Sequence, residues 1–424
     1  MIVNSYSLSV FVLGMSYLFW RHMQHRQSVV QKLPMPDSKI KAALFQPDIV
    51  IVGDNFAAHH ILQNTYTTYG KPQGFLQLIK TLIGAGLRGI EGEDHKYQRR
   101  LLTPAFTAEA VKAMSDDISF CAERMTQNLS SSLIDTSGTI VDIVPVISAC
   151  ALDIIGRVGF GHNFEGGESK DAKAICSAWH QDVVTHTSLS RECSKKHHIY
   201  KIAGKLILDN SKHIGGNNIL SILLNGNHKL VEQSEAVLTT TEILDNITTF
   251  LCGERVLVTS VTADFMLLQL TQTPLVQCKL QQEIRTAASL DYKSTGEFKY
   301  LSGVVKEGLR LHPVGQPTQC IARHDDVILL CTAIHTGSGE MVSSLAVKAS
   351  QVLQIPWAIL NVNKQVWGDN ADKFIPEQWI EPGGVPPVDK LLRGPWNGVS
   401  LFSDGPQSCT GYRVALFSSV VVLF

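Results

Sequence analysis

The chain has 424 residues, of which 44% are hydrophobic and 18% are charged, and its formal net charge is -1. This length allows one large domain with an extensive apolar core. The near-zero net charge argues against nucleic acid as a partner, because nucleic-acid-binding domains carry an excess of Lys and Arg. The nine cysteines are an odd number without the spacing of a disulfide framework, which favours a reducing compartment and free thiols.

The N-terminus carries an apolar segment of membrane-spanning length. Residues 1–20 have no charged side chain, and about 20 apolar residues cross a bilayer. Basic side chains follow directly and none precede the segment, which favours a signal anchor with the remaining chain on the cytosolic side. A cleaved signal peptide and a buried first helix are the alternatives, and the lack of a charged n-region counts against cleavage. We predict a transmembrane anchor over 1–20, a hinge and linker over 21–47 and a catalytic domain over 48–424.

Beyond the linker the pattern is mainly helical. Apolar and amphipathic stretches predict helices over 108–133, 142–160, 171–184, 273–286 and 300–311. Short β-type runs predict strands over 48–53 and 326–330, and a Gly/Pro-rich segment predicts a loop over 381–395. The predicted fold class is therefore mainly α with a small β subdomain.

Gly84, Gly86 and Gly89 match the dinucleotide-binding fingerprint Gly-x-Gly-x-x-Gly. A true fingerprint follows a strand, opens a helix directly and has an acidic residue about 20 positions further on. Here the glycines follow a helix-like run, the next helix starts several residues late, and no suitable acid follows. We interpret the segment as a flexible loop ahead of a cationic helix.

The residues most indicative of function lie near the C-terminus, where positions 402–411 read Phe-Ser-Asp-Gly-Pro-Gln-Ser-Cys-Thr-Gly. This arrangement suits Cys409 as a thiolate ligand to haem iron, an environment that favours O–O cleavage. Gly405 permits a tight turn, and Gly411 lets a flat macrocycle approach the backbone. Amides at the start of the following helix would stabilise the thiolate. The alternative is an inert core thiol, but chance produces Phe402, both glycines and the cysteine at these offsets in roughly one chain in a thousand.

This loop resembles the signature of the cytochrome P450 family, Phe-x-x-Gly-x-Arg-x-Cys-x-Gly. Gln407 stands at the position of the family's Arg. The resemblance spans nearly the whole chain and is strongest to anchored fungal members. It implies the cytochrome P450 fold with an N-terminal membrane anchor, a haem b cofactor and Cys409 as the axial iron ligand.

A second pattern lies in residues 300–313, which read as a helix stopped by proline. Glu307 and Arg310 share one face at i, i+3, a spacing that usually marks a solvated surface pair. In the resembled family this is the K-helix pair, a buried ion pair that shapes the thiolate loop and is closed by an Arg from a Pro-Glu-Arg segment. Gln378 occupies the position of that Arg. Its amide can hydrogen-bond Glu307 but lacks charge-assisted bidentate geometry, so we expect weaker support.

Residues 92–106 are similar to the family's C helix, in which an aromatic residue or His and an Arg four positions later face the haem propionates. The matching residues are His95 and Arg99, one above the other at i, i+4. A basic surface helix is the alternative. A third propionate position of the family falls at Cys320, and Arg323 is a candidate to reach in its stead.

The apolar stretch 242–270 resembles the family's I helix, which carries a small-Gly-x-acid-Thr step for oxygen and proton delivery. Cys252 and Gly253 match the start of the step, but the following residues do not supply the acid and the hydroxyl. Counting back from Pro274 places the hydroxyl at Thr259 instead. The predicted proton relay is therefore Thr259, with the register left open.

Three positions that carry arginine in the family carry Gln407, Gln378 and Cys320 here, and each loss should weaken haem seating. The chain stops at Phe424, whereas family members continue into a further helix turn and a β-hairpin. We therefore expect the C-terminal part of the domain to be missing and the apolar residues 417–424 to lack a packing partner.

The resemblance implies a monooxygenase that inserts one atom of O2 into an apolar small molecule in secondary metabolism. Electrons would come from NADPH through a separate flavoprotein reductase, and the catalytic domain would lie on the cytosolic side of the endoplasmic reticulum membrane. The departures leave an alternative open, a non-catalytic or decayed family member that binds haem weakly or not at all. A third possibility, a membrane-anchored interaction protein, has only the apolar termini in its favour.

Overall fold

The structure is a computed structural model. It describes residues 39–40, 49–134, 140–176, 189–211, 218–232, 237–253, 259–286, 292–314, 317–335, 339–396 and 398–424. The predicted anchor over 1–20 and nearly all of the predicted linker lie outside these residues.

Helices make up most of the described chain, as the sequence predicts. The first nine are α1 (Asn55–Gln63), α2 (Gln73–Ile83), α3 (Gly92–Leu102), α4 (Ala108–Ala113), α5 (Ser115–Ile134), α6 (Ile143–Phe160), α7 (Leu189–Ser211), α8 (Ile219–Glu232) and α9 (Thr240–Gly253). The others are α10 (Thr259–Gln272), α11 (Pro274–Arg285), α12 (Lys299–Leu311), α13 (Trp357–Asn361), α14 (Lys364–Trp367) and α15 (Tyr412–Leu423).

Two small sheets complete the fold. Their strands are β1 (Lys39–Ile40), β2 (Ile49–Ile51), β3 (Tyr69–Gly70), β4 (Thr318–Ala322), β5 (Asp326–His335), β6 (Met341–Val347) and β7 (Val352–Ile355). One sheet has the order β1-β2-β7-β4-β3, in which β2 and β7 run parallel, and the other is the antiparallel pair β5-β6. The predicted strand at 326–330 continues to His335 after an irregularity in pairing between Leu329 and Ile334.

The single helix predicted over 108–133 is wrong, because the structure forms two helices that break at Met114. The side chain of Met114 is buried in the core, and the Ser115 hydroxyl donates to the Lys112 carbonyl at 2.7 Å. Asp116 and Asp117 then lie in the first turn of α5, where carboxylates interact favourably with the helix dipole. Ser115-Asp116-Asp117 is thus a helix start that apolar periodicity alone does not reveal.

The predicted helix over 142–160 is confirmed as α6, which runs through the core. Asp142 accepts a hydrogen bond from the Val144 amide at 3.3 Å and caps its start. Gly161 ends the helix in the left-handed conformation at φ 62. Among the described helices, α6 alone is long and apolar enough to cross a bilayer, but 61% of that window is buried and it packs against α5 and α10.

The helices predicted over 273–286 and 300–311 are confirmed as α11 and α12, and two further predictions hold in part. Residues 170–176 are helical, and the rest of the predicted helix over 171–184 lies outside the described residues. The long helix expected over 242–270 corresponds to α9 and α10, with residues 254–258 outside the described part.

The C-terminal helix α15 is well packed, so the expectation that residues 417–424 lack a partner is wrong. Phe417 and Val421 are buried in the main hydrophobic core, and the helix contacts α5, α10 and α12. The ring of Phe424 lies 5.5 Å from that of Phe298, measured between centroids. Contacts with helices distant in sequence therefore cover the apolar face.

The Gly84–Gly89 segment is a loop between α2 and α3, as predicted, and it is docked on α9. The Ala85 amide donates to Asp245 Oδ2 at 2.7 Å, and the Leu87 amide donates to Asn246 Oδ1 at 3.1 Å. Both acceptor side chains are buried. The backbone of the loop is thus satisfied by α9, in a setting unlike that of a nucleotide-binding turn.

Replacing Gly84 with Ala is expected to lower the free energy of unfolding by about 2–4 kcal/mol. Gly84 has φ +89, and a Cβ there would overlap the Asp245 carboxylate. Chemical denaturation measures the effect, and Gly74→Ala in α2 is the control, because a Cβ at Gly74 meets no atom within 4 Å. Equal stability of the two variants would contradict this account of the loop.

Candidate active site

The loop that carries Cys409 is built from two short 3-10 turns, Ser400–Phe402 and Gly405–Gln407. Ser403 and Gly405 both adopt positive φ, 59 and 70, so the chain reverses sharply between the turns. The Cys409 amide then donates to the Phe402 carbonyl at 2.8 Å. This hydrogen bond closes the loop and leaves the partly exposed thiol at its end.

Apolar side chains surround Cys409 on the inner side. It packs against a cluster that contains Met266, Val399, Phe402 and Ala415, all of which are buried. The helix α15 starts three residues after the cysteine, with Gly411 as its N-cap at φ -85. The sulfur therefore lies at a helix N-terminus on an apolar base, a setting in which the dipole favours a thiolate.

Arg99 contacts the residue that precedes the cysteine. Its guanidinium donates to the Ser408 carbonyl at 2.5 Å and to the Ser408 hydroxyl at 3.3 Å. Burial lowers the pKa of Arg99 from its ordinary value, although the group remains cationic at neutral pH. Within the described part of the chain, no carboxylate forms an ion pair with it. An anionic group placed beside Cys409 would therefore find a cation without a charged partner.

His95 lies one helical turn before Arg99 and is 3% exposed. Its Nδ1 lies 2.6 Å from the hydroxyl oxygen of Tyr66. Burial, assisted by the cations Lys71 and Arg99, lowers the pKa of His95 to about 4. The imidazole is thus neutral at pH 7 and acts as a hydrogen-bonding group.

Two residues of this cluster are missed by the sequence analysis, Tyr66 and Lys71. The Lys71 ammonium donates to the carbonyls of Arg88 and Ile90 at 2.9 and 3.2 Å, and burial lowers its pKa to about 8. Tyr66 and Lys71 lie between α1 and α2, outside any recognised motif. Only the fold brings them to His95, so no spacing in the sequence could reveal them.

Cys320 and Arg323 lie on the same side of the domain but contact other groups. Cys320 is buried in β4, and burial raises the pKa of its thiol to about 12. The Arg323 guanidinium pairs with Glu91 at 3.3 Å and donates to the Tyr66 carbonyl at 3.4 Å. The charge of Arg323 is therefore matched by Glu91, and the charge of Lys71 opposes the rise in the pKa of the Cys320 thiol.

Unpartnered polar atoms flank Cys409. The side-chain amide nitrogen of Gln407 and the hydroxyl of Thr410 are buried, and neither has a hydrogen-bond partner among the residues that the structure describes. Buried donors of this kind are rare and call for a missing acceptor. The Cys409 thiol lies between these two donors, and the Arg99 cation lies beside them. These residues fit a haem: the sulfur would bind the iron, and the donors and Arg99 would bind the propionates.

Glu307 and Arg310 form a bidentate pair within the core. Both side chains are at most 1% exposed, and the two hydrogen bonds between them measure 2.8 Å each. Arg310 also donates to the carbonyls of Asn361 and Ala371 at 2.7 and 2.6 Å. Asn361 in turn accepts from the hydroxyl of Ser400, the first residue of the cysteine loop. The ion pair is thus connected to the loop through one side chain.

The expected hydrogen bond between Gln378 and Glu307 is present, with 2.6 Å between Nε2 and Oε2. The indole N–H of Trp379 donates to the same oxygen at 2.9 Å, and the Ile375 amide donates to Oε1 at 2.8 Å. The sequence analysis did not foresee these two donors. The carboxylate is therefore fully hydrogen-bonded without a second guanidinium.

The helix α10 begins at Thr259, whose side chain lies outside the described part of the structure. Ser260, the next residue, is buried. Met266, two turns further along the same helix, packs against Gly308 so closely that a Cβ on the glycine would overlap it. This contact allows α10 and α12 to pack closely at this point. The assignment of Thr259 as a proton relay remains a prediction.

Asp264 in α10 predicts a pH effect on stability. One carboxylate oxygen is buried without a hydrogen-bond partner in the described part of the chain. Burial, followed by the nearby Asp142 charge, raises the pKa of Asp264 from 3.8 to about 7. The folded chain keeps a proton that the unfolded chain releases, so this contribution to stability is complete below pH 3.8 and is lost as the pH rises to about 7. Asp264→Asn is expected to remove that slope in urea unfolding. A parallel slope in both proteins would contradict the assignment.

Comparison with known proteins supports a haem-binding site of this kind. The family model described as Cytochrome P450 matches residues 9–424. The chain is 28% identical to Cytochrome P450 monooxygenase claP of Ampulloclitocybe clavipes, over 90% of this chain and 76% of the relative. It is 26% identical to Cytochrome P450 monooxygenase 205 of Postia placenta, over 88% and 75%. It is 23% identical to Ganoderic acid synthetase CYP5150L8 of Ganoderma lucidum, over 96% and 82%.

Proposed function

Because the chain belongs to the cytochrome P450 family, we propose that it is a membrane-anchored haem-thiolate monooxygenase that inserts one atom of O2 into an apolar small molecule. Its relatives carry the name monooxygenase, and the chain is an oxidoreductase of this class. The observation that carries the proposal is the thiol of Cys409, placed at a helix N-terminus between unpartnered donors and the Arg99 guanidinium.

When bound, haem b supplies the O2 activation that amino-acid side chains cannot perform. We propose that the Cys409 thiolate would hold the haem iron, with Phe402, Gly405 and Gly411 shaping the loop around it. The apolar cluster on its inner side shields that side of the thiol from water. Such a hydrophobic shell controls solvent access and the dielectric around a metal site.

The propionates would be held by Arg99 and His95, as predicted, with Lys71 as an added cation. Arg99 supplies charge, and the neutral imidazole of His95 supplies a hydrogen bond. Lys71 lies close enough to influence the pKa values of His95 and Cys320. We propose that its charge compensates for the arginines that Gln407 and Cys320 replace.

Glu307 and Arg310 support the loop from below and touch neither haem nor substrate in this proposal. Thr259, at the start of α10, would pass protons toward the distal side of the haem. These roles follow from the family resemblance and from the positions of the elements. The decayed-member alternative gains no support from the comparisons, which extend over nearly the whole chain.

The substrate and the electron donor complete the proposal. One relative carries the name ganoderic acid synthetase, so we propose an apolar secondary metabolite as substrate. Electrons would come from NADPH through a flavoprotein reductase. Residues 1–20 would anchor the chain in the endoplasmic reticulum membrane, with the catalytic domain on the cytosolic side.

Microsomes that contain the full chain and a fungal NADPH-dependent reductase test this function. Candidate apolar metabolites would be supplied with isotopically labelled O2, and the products analysed by mass spectrometry. The expected result is an NADPH-dependent product that gains one labelled oxygen atom and is absent from reductase-only microsomes. Haem-loaded protein that consumes NADPH without labelling any member of a broad apolar set would contradict the proposed oxygen insertion.

A further inference from the structure

The second half of α1 holds the cysteine loop through one buried carboxylate. Asp404 Oδ2 lies 2.6 Å from Nδ1 of His59, and Oδ1 accepts from the Gln63 side-chain amide at 3.1 Å. Oδ1 also accepts from the amide of Gly405 at 2.6 Å. The contacts therefore join a helix near the N-terminus to a loop more than 300 residues later, as the sequence separation of 345 between His59 and Asp404 shows.

Burial makes these contacts energetically significant. The Asp404 side chain is 3% exposed, whereas that of His59 is 25% exposed. A buried carboxylate is costly unless hydrogen bonds and a donor partner compensate for its lost hydration. Of the three groups that hydrogen-bond Asp404, two are the side chains of His59 and Gln63 in α1, so the burial of this carboxylate depends on the docking of the loop on that helix.

The backbones of α1 and the loop also approach each other closely at this place. Gly405 has φ +70, and a Cβ on it would overlap the Leu62 carbonyl oxygen. The last turn of α1 therefore rests directly on the loop backbone. The side-chain and backbone contacts together fix where the loop lies relative to α1.

The residue at the arginine position of the family signature does not hold this loop. Gln407 stands where the family has Arg, and its buried amide nitrogen lacks a hydrogen-bond partner. Asp404 provides polar support at the start of the loop, and Arg99 contacts Ser408 next to the cysteine. The segment is therefore held at both ends and not through Gln407.

We propose that His59 and Gln63 are positioning residues that act on Cys409 through Asp404. This inference rests on the proposed haem-thiolate function. Neither side chain touches the sulfur, and both set where the loop presents it. Loss of the His59 contact is expected to loosen the loop, weaken haem binding and displace the thiolate from iron in a fraction of the molecules.

His59→Leu removes the contact, and His59→Asn keeps a hydrogen-bonding nitrogen at a similar distance from the backbone. His60→Leu is the matched control on the same helix. His60 is 35% exposed and lies 2.8 Å from a different carboxylate, that of Asp326. Gln63→Leu, which removes the other α1 donor, provides a second test if His59→Leu does not fold.

The measurements are haem affinity by titration of the purified chain and the ferrous carbon monoxide spectrum of the loaded protein. His59→Leu is expected to lower haem affinity about tenfold or more. Part of the strongly red-shifted Soret band should also move to a shorter wavelength, as expected when the thiolate no longer binds the iron. His59→Asn should recover most of both signals, Gln63→Leu should show a smaller shift in the same direction, and His60→Leu should match the wild type.

The two proposals fail in different ways. A wild-type chain that folds but shows no red-shifted band would overturn the haem-thiolate function, and this inference with it. A wild-type band that persists in full in both His59→Leu and Gln63→Leu would overturn the positioning role alone. Equal losses of haem affinity and of the red-shifted band in His59→Leu and His60→Leu would mean that the His59 contact only stabilises the fold. This result would also overturn the positioning role.

Discussion

Replacing Arg310 with Met is expected to lower the free energy of unfolding by about 3–5 kcal/mol, because it leaves the Glu307 carboxylate charged and buried without its cation. Glu307 is fully buried. The variant also removes the donor to three carbonyl oxygens, those of Asn361, Ala371 and Lys373. Each buried acceptor left alone adds to the cost.

The surface pair between Lys279 and Glu377 is the matched control. Its nitrogen and oxygen lie 2.6 Å apart, but the Lys279 side chain is 57% exposed. Lys279→Met is expected to cost at most about 1 kcal/mol, because exposed ion pairs contribute little. Urea unfolding of both variants at one pH provides the comparison, and similar losses in the two would contradict the role assigned to the buried pair.

Arg310→Met is expected to affect haem binding as well. The pair reaches the cysteine loop through Asn361 and Ser400, so its loss should let the loop move. We expect less haem per chain in protein purified under identical conditions, measured by haem absorbance against protein concentration. Lys279→Met should retain the wild-type ratio.

The second large effect is expected at Cys409. Replacing it with Ser is expected to abolish substrate oxidation, because a serine oxygen cannot supply the electron-rich thiolate on which O2 activation depends. The fold should survive, since the loop-closing bond to Phe402 uses the Cys409 amide and not its side chain. Cys278→Ser, at an exposed position in α11, is the control and should leave turnover unchanged.

Thermal unfolding without haem separates loss of chemistry from loss of structure. The Cys409→Ser and wild-type chains should unfold within a few degrees of each other, because the two side chains differ little in volume and the position is partly exposed. A variant that keeps more than a trace of haem-dependent turnover would contradict the role of Cys409 as the ligand.

Much of the fold could be predicted from periodicity and motifs. The run at 142–160 is mainly apolar and is capped at both ends, so α6 forms where its sequence indicates. The Cys409 loop is recognisable because its chemistry depends on residues close in sequence. Both features can be recognised because the residues that define them are close together in the sequence.

The parts that sequence analysis missed depend on contacts between distant segments. Lys71 and Tyr66 become site residues only because β3 and the preceding turn lie beside α3. The packing of Phe417 could not be foreseen, because its partners belong to helices hundreds of residues away. Asp404 reads as an ordinary loop residue until α1 is placed next to it. Proximity created by the fold leaves no spacing to recognise.

The ferrous carbon monoxide difference spectrum of the haem-loaded chain tests the central claim most directly, recorded beside Cys409→Ser. We predict a strongly red-shifted Soret band in the wild type, lost in the variant, because this shift requires that a thiolate holds the haem iron. Folded wild-type protein that binds haem without this band, or a band that persists in Cys409→Ser, would contradict the account.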